Sequence, residues 1–224
     1  MDINKYQSSL NHSYVFGAFG TIELLNNQAD KCLGVLVDPS FVNNEAFKKI
    51  KSICTSKNIP ITIDLKTISK IRDKGNIFVV GIFKKYQSTL SNDKHLVLYD
   101  INDVGVIGTI IRSMRGFNFE NLVLIDCKID LFHEHLIRST MGAFFQCNIK
   151  EYKTFAEYQK EYSNVNFINI SNTGDKLANI KVNENTSLIF SKNPINESNI
   201  THIKFDEDIS LDNIVNIVLF TIYS

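Results

Sequence analysis

A helix predicted over residues 104–116 carries the side chains best suited to chemistry. Gly105, Gly108, Arg112 and Arg115 share one face of this helix, because they stand at i, i+3, i+7 and i+10. Each glycine costs a helix about 1 kcal/mol relative to alanine, so something is expected to approach the backbone closely on this face. Arg112 would then point toward the group that approaches this face of the helix. The alternative stays equally open here: the glycines admit a neighbouring element and the arginines are solvated.

Strands and helices alternate along the chain, which predicts an α/β protein: a small sheet flanked by helices in the first part, and a parallel sheet covered on both faces in the second. In the first part we predict strands over 34–39, 59–64 and 77–83, with helices over 45–58 and 65–72. In the second part we predict strands over 95–100, 121–126, 143–149, 165–170, 186–190 and 201–205, with helices over 104–116, 131–140, 155–162 and from about Leu211. The polar stretch 85–94 reads as a linker, so the predicted domains are 1–92 and 93–224.

The charge is distributed unevenly although the net charge is zero. Residues 1–90 hold 12 Lys and Arg against 7 Asp and Glu, whereas the remainder holds 12 against 17. The basic excess lies at Lys48, Lys49, Lys51, Lys66, Lys70, Arg72, Lys74, Lys84 and Lys85. This patch could neutralise phosphates. An ordinary solvated lysine surface would give the same pattern.

Several function classes are disfavoured by absent signals. The cysteines Cys32, Cys54, Cys127 and Cys147 are too far apart for a zinc motif, and His133 and His135 suit opposite faces of one element, so we expect no metal. No dinucleotide-binding, P-loop or serine-hydrolase motif occurs. The N-terminus lacks a signal-peptide pattern and no apolar run would cross a bilayer, so we expect a cytoplasmic protein with no membrane partner.

Several segments resemble one known family. The run LVLYDINDVGVIGTIIRSMRGFNFENLVLID resembles the first motif of the SpoU/TrmH branch of the SPOUT RNA methyltransferases. IRSTMGAFF (137–145) resembles a conserved stretch of that family, SLIFSKN (187–193) its cofactor loop and ISLD (209–212) its last motif. SYVFGAFGTIELL (13–25) and NIFVVGIFKKY resemble the N-terminal substrate domain of one bacterial branch.

The resemblance implies methyl transfer from S-adenosylmethionine to a ribose 2′-hydroxyl of ribosomal or transfer RNA. It implies a homodimer and a methyltransferase domain (93–224) with a C-terminal trefoil knot, preceded by an RNA-binding domain (1–92). Arg112 matches the family arginine near the reacting hydroxyl, and Ser210 matches a serine near the RNA site. The cofactor-loop positions are Phe190, Ser191, Ile209, Ser210 and Leu211.

The chain departs from the family pattern at four positions. Val106 replaces an asparagine, Ser191 a glycine, Asn193 a glutamate and Asp212 an asparagine. Valine forms no side-chain hydrogen bond, and a lost positioned donor typically costs about 10²-fold in rate. Two rival hypotheses follow: a catalytically inactive homologue that binds RNA or protein, and an unrelated α/β enzyme acting on a small molecule.

Overall fold

The computed structural model describes residues 3–72, 75–171, 173–191, 195, 200–205 and 209–223. The chain forms two compact units. The first unit comprises the residues up to Tyr86 together with Asp130–Gln146. The second unit comprises Gln87–Ile129 and the chain from Cys147 onward.

Most regular elements follow the predicted alternation of strands and helices, but the strand and helix within 12–27 and the short strand over 175–176 were not predicted. In chain order they are β1 (His12–Phe16), α1 (Ala18–Asn27), β2 (Cys32–Val37), α2 (Glu45–Ser56), β3 (Ile61–Ile63), α3 (Leu65–Ile71), β4 (Val79–Lys84), β5 (His95–Tyr99), α4 (Val104–Gly116), β6 (Asn121–Ile125), α5 (Glu134–Ser139), β7 (Asn148–Tyr152), α6 (Phe155–Glu161), β8 (Asn166–Ser171), β9 (Asp175–Lys176), β10 (Thr186–Ser191), β11 (Ile200–Lys204) and α7 (Leu211–Tyr223). Short 3-10 turns cover Ala29–Lys31, Pro39–Phe41, Ala143–Gln146 and Leu177–Asn179.

The first unit is built on a four-stranded mixed sheet in the order β1-β4-β2-β3. Strand β4 runs antiparallel to β1 and β2, while β3 runs parallel to β2. Alternate residues of a strand face opposite sides of the sheet, so β2 contributes side chains to two hydrophobic cores. Val35 and Val37 pack with Ile50 of α2, whereas Leu36 packs with Ile68 and Ile71 of α3.

Residues 130–146 belong to the first unit because aromatic packing holds them there. The rings of Phe132, Phe144 and Phe145 surround Phe83 at centroid distances of 5.1–6.5 Å. The Ser13 hydroxyl donates to the carbonyl of Phe132 over 2.5 Å. The compact units therefore differ from the predicted ranges 1–92 and 93–224 in this inserted segment and in a boundary at Tyr86. The functional assignment of those ranges stays a prediction.

The strand predicted over 143–149 is wrong at its start. Residues Ala143–Gln146 form a 3-10 turn, and β7 begins only at Asn148. Gly142 adopts a φ of +87°, which breaks an extended strand. The amide of Phe144 then donates to the Thr140 hydroxyl over 3.3 Å, and this bond stabilises the turn.

The second unit is built on a seven-stranded sheet in the order β7-β6-β5-β10-β8-β11-β9. Every strand pair in this sheet is parallel, which confirms the predicted parallel α/β fold. Helix α4 has the predicted bounds, and it buries Ile107, Ile110, Ile111 and Met114. Helix α7 packs against α4, with the rings of Phe117 and Tyr223 5.9 Å apart.

Two kinds of feature are absent from the part of the chain that the structure describes. No helix there is long and apolar enough to cross a bilayer. The same residues contain no group of three or more His, Cys, Asp and Glu side chains placed to hold a metal ion.

Candidate functional site

The carboxyl ends of β5, β10 and β8 lie side by side in the parallel sheet. Ser191, the last residue of β10, pairs with Tyr99 of β5, and Phe190 pairs with Ile170 of β8. Open parallel sheets bind ligands beyond the carboxyl ends of their strands. The side chain of Phe190 is fully buried, so this residue would meet a ligand through its backbone. Ser191 is half-buried at the edge itself.

Helix α4 begins at this same edge, immediately after β5. Asp103 caps the helix: its carboxylate accepts hydrogen bonds from the amides of Gly105 at 2.8 Å and Val106 at 3.0 Å. A Cβ atom on Gly105 would lie 3.2 Å from the Asp103 carboxylate, so the cap itself explains this glycine. Asp103 was not predicted as the cap of this helix, although an aspartate just before an apolar helical run is a recognised start signal.

The two arginines of α4 differ in their surroundings. Arg112 is exposed, and its Nη2 donates to the Thr109 hydroxyl over 3.2 Å. Arg115 is half-buried and lies 3.7 Å from the carboxylate of Glu120. A guanidinium has five N–H donors, and the Thr109 bond engages one of them. Arg112 is therefore better placed than Arg115 to meet a ligand.

A buried polar network lies beneath the end of β10. Asn169 of β8 is fully buried, and its Oδ1 accepts a hydrogen bond from the Ser191 hydroxyl over 3.1 Å. Its amide nitrogen donates to Nδ1 of His202 on β11 over 3.4 Å. Burying an amide group without hydrogen bonds costs several kcal/mol, and these two hydrogen bonds avoid that cost for Asn169. The network links three strands near the end of β10, and the sequence signal for it was Asn169, one of two asparagines in the run VNFINI.

Helix α7 starts at the predicted last-motif residues. The Ser210 carbonyl accepts from the amide of Ile214 over 3.0 Å, which places Ser210 at the start of the helix, as predicted. Ser210 is exposed, while Ile209 and Leu211 are half-buried. Asp212 lies in the first turn. The fourth departing position, Asn193, lies outside the described residues.

A cysteine also lies at the carboxyl edge, after β6. The thiol of Cys127 points at the carbonyls of Leu98 and Ile125 over 3.5 Å each. Burial raises its pKa above the ordinary value, so the thiol is protonated at neutral pH. A protonated thiol is a poor nucleophile, which argues against cysteine catalysis at this edge.

Part of the chain is similar in sequence to a known protein family. Residues 93–192 match the sequence profile described as the SpoU rRNA Methylase family. This segment is therefore similar in sequence to SpoU-type methylases. It contains α4 with Arg112 and the strand ending in Ser191, but it stops short of Ile209, Ser210 and Leu211. No curated protein is significantly similar to the chain in sequence.

Solved structures resemble the chain over nearly its whole length. An rRNA methyltransferase from Sinorhizobium meliloti aligns with a TM-score of 0.71 at 17% identity, covering 94% of this chain and 86% of its own. A putative TrmH-family RNA methyltransferase from Porphyromonas gingivalis gives 0.76 at 14% identity, covering 94% and 89%. The SpoU methyltransferase AviRb from Streptomyces viridochromogenes, in complex with the cofactor AdoMet, gives 0.77 at 12% identity, covering 95% and 89%. At these low sequence identities, the similarity to the solved structures shows a shared fold.

Proposed function

We propose that the protein is an RNA ribose 2′-O-methyltransferase that uses S-adenosylmethionine. The observation that carries the proposal is the SpoU-type domain, with Arg112 and Ser191 on two elements that meet the carboxyl edge of its parallel sheet. The similar fold of AviRb with bound AdoMet supports the choice of cofactor.

The residues at this edge fit S-adenosylmethionine in their chemistry. Backbone groups at the end of β10, the Ser191 hydroxyl, and the half-buried apolar Ile209 and Leu211 suit a nucleoside with polar edges and an apolar ring face. We assign Phe190, Ser191, Ile209, Ser210 and Leu211 to holding it. When bound, the cofactor supplies a methyl group on a positively charged sulfur.

Arg112 would act on the other reactant. A ribose hydroxyl is a weak nucleophile, and negative charge grows on its oxygen as the proton leaves. A guanidinium beside that oxygen stabilises the charge and does not itself take the proton, because it stays protonated. Arg112 therefore orients the hydroxyl and lowers the barrier electrostatically, while Ser210 contacts the RNA near the same place.

The catalytically inactive homologue is the second candidate, and the departures at Val106, Ser191, Asn193 and Asp212 motivate it. The observations favour the enzyme over it, since Arg112 is exposed at the predicted position. The Ser191 hydroxyl is accommodated by Asn169, so the replacement of a family glycine there has a structural partner. An unrelated enzyme acting on a small molecule has no observation in its favour.

Two structural features belong to the proposal. The first is a trefoil knot: β10 inserts between β5 and β8, and β11 then lies beyond β8. The second is a homodimer: α7 buries Val215, Val218 and Leu219 but also exposes Ile217, Phe220 and Tyr223. Apolar faces on both sides of one helix are typical of a helix covered by a partner.

The RNA substrate, ribosomal or transfer RNA, would be bound partly by the lysine-rich N-terminal region, in the cytoplasm. The protein should be incubated with unmodified RNA and S-adenosylmethionine labelled on its methyl group. We expect labelled 2′-O-methyl nucleosides after complete nuclease digestion. Label on a base, or binding of the cofactor without transfer to ribosomal or transfer RNA, would contradict the proposed activity. Calorimetry with S-adenosylmethionine alone separates the two candidates, because the inactive homologue needs no cofactor binding.

A further inference from the structure

Two aromatic rings stack at one end of the sheet in the first unit. The rings of Phe41 and Phe78 lie 5.7 Å apart between centroids and are almost parallel, at 9°. Phe41 ends the turn that follows β2, and Phe78 immediately precedes β4. Phe78 is 39% exposed, so part of its ring is open to a ligand. We call this pair the Phe41–Phe78 platform.

Backbone hydrogen bonds fix the platform on the sheet end. The amide of Asp38 donates to the carbonyl of Phe78 over 2.7 Å, and the amide of Phe41 donates to the carbonyl of Asp38 over 2.9 Å. The Asp38 carboxylate in turn accepts from the amide and hydroxyl of Ser40. Both rings are therefore carried by backbone with few degrees of freedom, so little entropy is lost when a flat ligand stacks on them.

Cations lie at the same end of the sheet. The end of β3 and the start of β4 both lie at this sheet end because β3 runs antiparallel to β4, and α3 lies between the two strands in the chain. Lys66 and Lys70 are exposed on α3, and Arg72 caps its end. Arg72 lies close enough to Asp38 to add to the Ser40 hydrogen bonds in lowering the pKa of that carboxyl.

Among the described residues, the carboxylates of Asp38 and Asp64 offset part of this positive charge and leave one cation in excess. The side chain of Asp38 is buried and bonded to Ser40. Asp64 caps α3 by accepting from the amide and hydroxyl of Thr67. A flat aromatic surface at the same sheet end as two exposed lysines and the half-buried Arg72 matches the two parts of an unpaired nucleotide, its base and its phosphate. An acidic protein segment would use the cations but has no need of a stacked, parallel ring pair.

We infer that the Phe41–Phe78 platform stacks an unpaired nucleobase of the RNA substrate while Lys66, Lys70 and Arg72 contact the adjacent phosphates. This inference rests on the proposed function, because it assigns a subsite for the RNA that the methyltransferase would modify. It places one single-stranded nucleotide on the first unit and makes the platform a determinant of which RNA is held.

The chain has no tryptophan, so one introduced tryptophan is a clean fluorescent reporter. We would prepare the whole chain with Phe78→Trp and titrate it with a short, unstructured single-stranded RNA. Leu33→Trp is the matched control, since Leu33 is 41% exposed in the same unit but lies near the start of β2, at the opposite end of the sheet. We expect the RNA to quench the fluorescence of the Phe78→Trp variant but not that of the Leu33→Trp variant, because stacking on a base quenches indole emission.

Affinity measurements with the same RNA complete the test. Phe78→Leu keeps an apolar side chain without an aromatic face and should bind about ten-fold more weakly, while Phe78→Tyr should bind like the wild type. Equal affinity of all three, with no quenching in Phe78→Trp, would overturn the platform while leaving the methyltransferase proposal intact. A wild-type protein that binds neither this RNA nor ribosomal or transfer RNA would overturn both. Quenching of the Phe78→Trp variant by an acidic peptide and not by RNA would assign the surface to a protein partner and reject the inference.

Discussion

Arg112 is the side chain on which the proposed chemistry depends, and its substitution is the sharpest residue-level test. Arg112→Ala should lower kcat about 10²-fold or more, because the developing oxyanion loses its positioned charge. The affinity for S-adenosylmethionine should change little. Arg112→Lys should recover part of the rate, since lysine restores the charge but not the planar donor geometry. Transfer rates from single-turnover assays, with cofactor affinity from calorimetry, measure the two effects separately.

Arg115 provides the matched control for Arg112 because it lies on the same helix but pairs with Glu120. Arg115→Ala should leave the transfer rate within a few-fold of the wild type and weaken stability by about 0.5 kcal/mol, as for a partly exposed ion pair. If Arg115→Ala lost activity as severely as Arg112→Ala, the role assigned to Arg112 would not stand.

A buried histidine makes stability depend on pH. His95 donates from Nε2 to the Ser91 carbonyl over 3.0 Å, so its Nδ1 must accept from Tyr158 at 2.7 Å, and Tyr158 accepts from Ser187. Burial lowers the His95 pKa, so the folded state disfavours the protonated ring. This contribution to stability is complete above the unfolded-state pKa of about 6.5 and is lost as the pH falls below it.

Urea unfolding at about pH 8 and about pH 5.5 should therefore show a lower midpoint at the acidic pH. His95→Gln should reduce that difference while lowering stability at both values. Part of the difference should survive in the variant, because burial also lowers the pKa of His12. If the pH difference were unchanged in His95→Gln, the protonation of His95 would be the same in the folded and unfolded states, and the predicted role of His95 would be wrong.

Among the elements of the second unit, the turn between β8 and β9 is tightly constrained by sterics. Gly174 adopts a φ of +122°, and a Cβ atom there would lie only 2.2 Å from the carbonyl oxygen of His202 on β11. Gly174→Ala requires the backbone of the turn and the backbone of β11 to move apart, so it should destabilise the protein by about 3 kcal/mol or more. Chemical denaturation measures this loss.

Gly75→Ala measures the conformational strain without a steric clash, because Gly75 also has a positive φ of +93° but no atom of the described residues lies within 4 Å of the added Cβ. Its cost should be about 1–2 kcal/mol, the conformational part alone. Equal losses for the two variants would show that the close approach of β11 to the turn is relieved at little cost.

The elements differ in how well the sequence predicted them, for physical reasons. Helix α4 was predicted at its true bounds because its apolar spacing is long and regular. The prediction of a strand from residue 143 was wrong because Phe144 and Phe145 lie in a buried turn. An apolar run in the sequence does not distinguish a strand from a buried turn. The packing of 130–146 against Phe83 depends on contacts distant in sequence, which local patterns do not contain. The Asn169 network was missed for the same reason, since its partners lie 22 and 33 residues away.

At the scale of the whole molecule, the exposed face of α7 predicts the oligomeric state. Phe220→Asp should convert a homodimer into a monomer, because a carboxylate buried between two apolar helices has no partner. Multi-angle light scattering gives the mass directly. Phe19→Asp, at a similarly exposed phenylalanine of the first unit, should leave the mass unchanged. A wild-type protein that is monomeric at high concentration would refute the dimer before any variant is made.

The uneven charge of the chain predicts where the RNA backbone is held. Lys48, Lys49 and Lys51 are all exposed on α2, and each phosphate contact adds about 0.7 to the dependence of log affinity on log salt for a single strand. Changing these three lysines to glutamine should therefore flatten the salt dependence by up to about 2 and weaken binding at low salt more than at high salt.

Lys128, Lys153 and Lys160 of the second unit are also exposed, and their replacement removes the same charge from the acidic part of the chain. Equal effects of the two triple variants would show that the RNA responds to net charge, whereas a loss confined to α2 would show that the first unit holds the RNA backbone.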